Sequence, residues 1–181
     1  TLMDMLTLAG GPSDAAGQFT IEYALDGIVY PQASVGGPFG AAAEVPIRID
    51  LDDGIEVTAL TFSVAVAPAG GAPALVGLPS FVPAEGLPAM SLNNNAVVPG
   101  TVLLRWQASS GLALSGTGIL LGTLTVPVPV TAAEGQTYIV AADVSAAVDN
   151  GTPVDVIGRE GMVTVTPAWY LVGDVAPAGM G

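Results

Sequence analysis

The stretch 45-VPIRIDLDDGIEVTALTFSVAVA-67 decides the fold class, because apolar and polar residues alternate through most of it. In its first part, every second residue from Val45 to Leu51 is apolar, and these residues would share one face of an extended chain. The alternation changes phase near Thr58, which predicts a β-bulge or a strand that begins only after Thr58. Asp-Asp-Gly at 52–54 is typical of a turn. The stretch therefore predicts two half-buried strands joined by a turn.

Similar short apolar runs predict strands along the rest of the chain. They lie at 19–25, 101–107, 118–128, 137–144, 154–157 and 162–166. Between 67 and 100, a sequence rich in Pro and Gly predicts an irregular excursion with one short strand, either at 75–78 or at 80–82. Asp-Asn-Gly at 149–151 is a strong hairpin signal. Short strands and turns at this spacing predict an all-β fold, a two-sheet antiparallel β-sandwich. Its predicted core residues include Phe62, Val64, Leu104, Trp106, Leu124 and Val140.

The composition limits the classes of function. The 181 residues carry a formal net charge of −13 and include three Arg but no Lys, His or Cys. Ser-His-Asp and thiol catalysis are therefore excluded, no Schiff base can form, and we predict that the protein is not an enzyme. The negative charge would repel a nucleic-acid backbone. The longest apolar stretch, 118–130, is too short and too interrupted to span a membrane.

Four segments of this sequence carry a family resemblance. They are VPIRIDL (45–51), DGIEVTALTFSVAVAP (53–68), GTVLLRWQASSG (100–111) and the second half from GTGILLG (116–122) to GMVTV (161–165). In this order they resemble the cohesin-like family of extracellular β-sandwich modules, which share a jelly-roll architecture with some carbohydrate-binding modules. One departure is that Ala67-Pro68 stands where the family usually has a Tyr-Asp-Pro-like strand end.

The resemblance implies three regions and a location. Residues 28–167 would form the sandwich, 1–27 an N-terminal extension with a short helix and a strand, and 168–181 a C-terminal tail. The family implies an extracellular or cell-surface location, and a surface rich in Thr, Ser, Asn and Gly suits it. The tail sequence YLVGDVAP (170–177) resembles the start of a dockerin-like segment, which continues in related proteins into calcium loops and short helices. No calcium loop follows here.

Both ends of the chain carry apolar side chains outside the strand pattern, and we predict that they form an assembly interface. These residues are Leu2, Met3, Leu6, Leu8, Trp169, Tyr170, Leu171 and Val172. The predicted function is head-to-tail self-association into a homo-oligomer, surface fibre or scaffold. The alternative is a carbohydrate- or dockerin-binding module of a larger secreted enzyme or scaffold. A further alternative is that both ends are ordinary extensions lying along the sandwich.

The aromatic pair Trp169-Tyr170 follows the last predicted strand and has two interpretations. The rings could stack on a pyranose, or they could anchor the tail against the domain or a neighbouring molecule. The second interpretation is favoured, with Tyr23, Tyr30 and Phe39 as packing partners. Trp106, in contrast, shares a strand face with apolar residues and is predicted to be a core residue.

No cofactor is predicted, with one possible exception. The carboxylates of Asp50, Asp52 and Asp53 could hold calcium, which prefers six to eight oxygen ligands. The loop lacks the EF-hand pattern, however, and a plain turn is the alternative interpretation. A second acidic set, formed by Asp143, Asp149 and Asp155, could converge near the predicted hairpin, and a solvated loop is again the alternative.

Overall fold

Twelve strands make up the regular structure of the described part of this chain. A computed structural model describes residues 25–33, 35–87, 91–93, 100–108 and 113–167, with the backbone alone for 91–93. The strands are β1 (Gly27–Pro31), β2 (Val35–Pro38), β3 (Ala42–Leu51), β4 (Ala59–Ala69), β5 (Ser80–Pro83), β6 (Ser91–Asn93), β7 (Thr101–Gln107), β8 (Ile119–Pro127), β9 (Thr137–Asp149), β10 (Thr152–Pro153), β11 (Val156–Gly158) and β12 (Glu160–Thr166). The described residues include no helix long and apolar enough to cross a membrane.

The strands form two sheets that pack face to face. The five-stranded sheet has the order β11-β1-β3-β8-β5. The seven-stranded sheet has the order β2-β12-β9-β4-β7-β6, and β10 adds to it by pairing with β9. Most neighbours are antiparallel, as predicted, while two pairs are parallel: β1 with β11 and β2 with β12. The predicted all-β sandwich is confirmed.

The alternation in the first quoted stretch gives the predicted burial. In β3, the side chains at alternate positions from Val45 to Leu51 are buried, at most 2% exposed. Strand β4 begins at Ala59, directly after Thr58, and Val57 forms an isolated bridge with Leu114. The change of phase therefore marks the start of a new strand. An irregularity also occurs inside β4, between Thr61 and Phe62, where its register with β9 shifts.

The core lies between the two sheets and is entirely apolar in the described chain. All six predicted core residues are buried, including Trp106, which is 2% exposed. Phe62 of β4 and Phe81 of β5 meet edge to face across the core, with ring centroids 6.4 Å apart and planes at 81°. Such aromatic pairs stabilise packing beyond the burial of area.

The predicted hairpin turn is also confirmed. Asp149 pairs with Thr152 across a two-residue turn, in which Asn150 and Gly151 have φ values of 45° and 92°. These left-handed conformations match the right-handed twist of a hairpin, and Asn-Gly adopts them at low cost. The excursion holds two short strands where one was predicted, Ser80–Pro83 at one of the two expected places and Ser91–Asn93 in addition, and the segment 75–78 is not a strand.

The chain crosses from one sheet to the other between β11 and β12. Arg159 N–H donates to the Val29 carbonyl of the five-stranded sheet at 2.9 Å, and the Arg159 carbonyl accepts from Ala142 N–H of the seven-stranded sheet at 3.0 Å. The strand predicted at 154–157 is shifted and begins at Val156. The backbone of one residue is therefore hydrogen-bonded to both sheets.

Candidate binding surface

The seven-stranded sheet has a regular outer face, formed by its long strands β4, β7 and β9. Alternate residues of β4, β7 and β9 point into the core, so the residues between them point away from it. We call these outward residues of the three central strands the outer face. They are Ala59, Thr61, Ser63, Ala65, Ala67, Thr101, Leu103, Arg105, Gln107, Thr137, Ile139, Ala141, Asp143, Ala146 and Val148.

The side chains of the outer face are shortest on its middle strand, β4. β4 contributes only Ala, Thr and Ser side chains to it. The register places Ser63 between the longer side chains of Leu103 on β7 and Asp143 on β9, and it places Ala67 beside Ile139. Two strands separated by a third lie about 10 Å apart. This distance is close to the diameter of an α-helix, about 10 to 12 Å, so a helix lying over this row of short side chains, the trough along β4, would contact side chains of both β7 and β9.

The outer face is nearly neutral, although the chain carries a formal charge of −13. Its charged side chains are Arg105 and Asp143, one of each sign, and both are exposed. Apart from Gln107, the remaining outward positions on these strands are small, hydroxyl-bearing or aliphatic residues. A partner that covers the trough would therefore desolvate few charges, which keeps the cost of binding low.

The outer side of the five-stranded sheet already makes polar contacts within the chain. The Asp50 carboxylate accepts hydrogen bonds from the Tyr30 hydroxyl at 3.1 Å and from Gly118 N–H at 2.5 Å. Arg48 donates to the Gly118 carbonyl at 2.7 Å, so the bend at 116–118 lies against β3. Burial raises the pKa of Tyr30, the hydrogen bond and charge of Asp50 raise it further, and the positive charge of Arg48 acts in the opposite direction.

The predicted calcium ligands take different positions. Asp50 lies on the outer side of β3, in the contacts just described. Asp52 and Asp53 are exposed in the following turn, where Asp52 N–H donates to the Asp26 carbonyl at 3.0 Å. Within the described ranges, no group of three or more His, Cys, Asp or Glu side chains could hold a metal ion. Asp143, Asp149 and Asp155 therefore do not form such a group either. Calcium binding stays a prediction.

The residues predicted to mediate assembly lie outside the described part of the chain. This is true of Leu2, Met3, Leu6, Leu8, Trp169, Tyr170, Leu171 and Val172, of the dockerin-like segment 170–177, and of Tyr23. The strand expected at 19–25 also lies outside it except for Leu25, which is not in a strand. Of the suggested aromatic partners, Tyr30 lies beside Asp50. Phe39 is 41% exposed in the turn between β2 and β3, at the opposite end of β3 from Asp50. Self-association stays a prediction.

Sequence reasoning missed the trough along β4. The available signal was the set of small residues at every second position from Ala59 to Ala67, opposite the apolar positions that form the core. Small polar residues also occur on ordinary solvated strands, so this pattern became informative only when the register placed longer side chains on both sides of it.

No protein-family model matches the chain, and no curated protein sequence matches it. Among solved structures, the chain is similar to the seventh ScaB type I cohesin from Pseudobacteroides cellulosolvens. The sequence identity is 16%, the TM-score is 0.60, and the match covers 87% of this chain and 99% of that one.

Two further similar structures are cohesins in complex with a dockerin. One is the third ScaC cohesin with the ScaB dockerin from Acetivibrio cellulolyticus, at 17% identity and a TM-score of 0.57, covering 77% of this chain and 98% of that one. The other is a type I cohesin–dockerin complex from Clostridium thermocellum, at 12% identity and a TM-score of 0.57, covering 83% and 99%. The protein therefore has a cohesin-like β-sandwich fold.

Proposed function

We propose that this protein is a non-enzymatic binding module, acting outside the cell or at its surface, that holds a dockerin-like helical partner on the outer face of the seven-stranded sheet. The observation that carries the proposal is the trough along β4. It is bordered by Leu103 on one side and by Asp143 and Ile139 on the other, and a helix lying along it would contact both borders.

The comparisons support the class of partner. Two of the similar structures were solved with a dockerin bound, and this chain spans nearly the whole length of both cohesins. A sandwich fold alone does not define a partner, since function depends on the site that a fold carries. The trough supplies that site here.

The chemistry of the outer face defines what the partner must present. Ala and Thr side chains in the trough favour a helix with small or aliphatic residues, so that the two surfaces pack without voids. With a net charge of −13 on this chain, an acidic partner would be repelled during approach. The described residues of the outer face include no aromatic side chain, which disfavours a carbohydrate as the ligand because a sugar ring would find no stacking platform.

Titration calorimetry with a panel of isolated type I dockerins tests the proposal. We expect at least one of them to bind with one-to-one stoichiometry. Ala65→Arg places a long charged side chain in the trough and should weaken the Kd by at least about tenfold, or ~1.4 kcal/mol. Thr123→Arg makes a similar addition on the outer side of β8 in the other sheet and should leave the Kd unchanged.

Two results would refute the proposal. One is a panel in which no dockerin binds to the intact protein. The other is a bound dockerin whose affinity is the same for Ala65→Arg as for Thr123→Arg, since the contact would then lie elsewhere. Thermal melts of both variants show whether each is folded at the temperature of the titration.

A further inference from the structure

One end of the sandwich is apolar. It contains the turn at 39–41, the loop after β4 and the segment that follows β8. Of the five large hydrophobic side chains exposed in the described chain, four lie here: Phe39 at 41%, Val76 at 78%, Leu78 at 65% and Val130 at 76%. The stretches 67–79 and 127–133 contain no charged residue. Exposed apolar patches that are free of charge commonly mark a contact surface.

Two of these side chains belong to segments that contact each other. Gly40 N–H donates to the Val128 carbonyl at 3.1 Å, and Val128 N–H donates to the Ala41 carbonyl at 2.9 Å. A Cβ placed on Gly40 would lie 2.8 Å from Cγ1 of Val130, so the backbone of the turn rests on the Val130 side chain. Phe39 precedes this glycine directly. We call Phe39 and Val130 the end patch.

The last described strand finishes beside the end patch. Thr166 of β12 pairs in parallel with Pro38, the residue before Phe39. Val165 is held to the turn after β8, since its N–H donates to the Gln136 carbonyl at 2.8 Å and its carbonyl accepts from Gly135 N–H at 2.9 Å. The chain therefore leaves the sandwich at this end. Trp169 follows the last described residue, Pro167, by two positions, a reach of about 7 Å.

The sequence after β12 matches the end patch in chemistry. Residues 167–173, PAWYLVG, contain no charge and include two aromatic and two aliphatic side chains. Each large aromatic side chain can bury about 150 to 250 Å². Such a segment can cover an apolar surface without desolvating a charged group, whereas the acidic groups at the opposite end of the sandwich offer it no comparable site.

We infer that the segment Trp169–Val172 folds back onto its own domain and covers Phe39 and Val130. The segment is connected to the sandwich by only two or three residues, and this short connection favours packing on the same chain over packing on a second copy. A segment held within two or three residues of its site has an effective concentration of about millimolar, and a second molecule would also have to bring its own charge of −13 into contact. This inference concerns a surface distinct from the trough and does not rest on the proposed function.

Acrylamide quenching of tryptophan fluorescence tests this inference on the intact protein. The chain has two Trp, and Trp106 is only 2% exposed, so strong quenching reports on Trp169. A Trp169→Phe variant gives the Trp106 background. We expect the Trp169 quenching constant of the wild type to be several-fold below that of N-acetyl-tryptophanamide. Val130→Asp should raise it at least threefold. The matched change Val82→Asp, at a valine that is 63% exposed on β5, should leave it unchanged.

Three outcomes would overturn the inference. Trp169 could be quenched in the wild type as fully as the free amide, or Val130→Asp could have no more effect than Val82→Asp. Light scattering could also show a dimer that Val130→Asp converts to a monomer, in which case a second copy covers the end patch. Both substituted valines are exposed, so circular dichroism should show the same fold for both variants.

Discussion

Tyr138 connects β9 to the loop that follows β4. Its ring is fully buried, and its hydroxyl donates to the Pro73 carbonyl at 3.0 Å. Tyr138→Phe keeps the packing of the ring and removes this hydrogen bond. We expect the free energy of unfolding to fall by about 1 kcal/mol, as measured by urea denaturation at neutral pH. A variant as stable as the wild type would show that this hydrogen bond contributes nothing to the net stability.

The same residue predicts a response to alkaline pH. Burial raises the pKa of Tyr138 above the usual value of 10.0. A group whose pKa is raised on folding stabilises the protein fully below the unfolded value, and that stabilisation is lost as pH rises through the folded value. Unfolding measured from pH 8 upward should therefore show stability falling above about pH 10, and less steeply in Tyr138→Phe. Equal slopes for the two proteins would contradict the prediction.

Asp50 predicts how the protein responds to metal removal. Its carboxylate already accepts hydrogen bonds from Tyr30 and Gly118, so it stabilises the fold without an ion. We expect a chelator to leave the melting temperature unchanged. Asp50→Ala should lower it equally with and without chelator, and Asp52→Ala should have little effect. A large drop on adding chelator, absent in Asp52→Ala, would instead establish the calcium site.

At the scale of elements, the crossing from β11 to β12 holds the two sheets together at one edge. Gly158, the last residue of β11, lies directly against the backbone of β9. A Cβ at this position would overlap the Ala142 carbonyl, which is backbone and cannot move aside easily. Gly158→Ala should therefore destabilise the protein by about 2 to 3 kcal/mol through overpacking, measured by urea denaturation.

A second glycine serves as the control for that substitution. A Cβ on Gly36 in β2 would meet first a side-chain atom, Cγ2 of Thr166, at 3.3 Å. Because a side chain can adjust, Gly36→Ala should cost less than about 1 kcal/mol. If the two variants proved equally stable, the close approach of β11 to β9 would be wrong.

The strands with alternating sequences could be predicted, and those without such a pattern could not. The alternation from Val45 to Leu51 predicted the buried face and the end of β3, although the strand begins earlier, at Ala42, and Asn150-Gly151 predicted the hairpin after β9. Nothing in VGGP (35–38) indicates β2, since two glycines and a proline carry no strand pattern. The parallel pairs of β1 with β11 and β2 with β12 join segments more than 100 residues apart. Packing of the whole sandwich decides such pairings, and local alternation does not.

At the scale of the whole molecule, charge and apolar surface lie at opposite ends. The end where β3 finishes and β4 begins carries Asp26, Asp52, Asp53, Asp149 and Asp155, whereas the other end carries Phe39, Val76, Leu78 and Val130. The outer face runs between the two ends and is nearly neutral. We therefore expect three separate behaviours: repulsion at the acidic end, contact with the tail at the apolar end, and partner binding along β4.

We propose that a helical partner lies along β4 on the outer face of the seven-stranded sheet. Backbone amide chemical shifts of the isotope-labelled protein, recorded while an unlabelled type I dockerin is added, test it most directly. We expect the largest shift changes in β4, β7 and β9, around Ser63, Leu103 and Ala141, with little change in β3 and β8. Changes confined to β3 and β8, or to the acidic end, would contradict it.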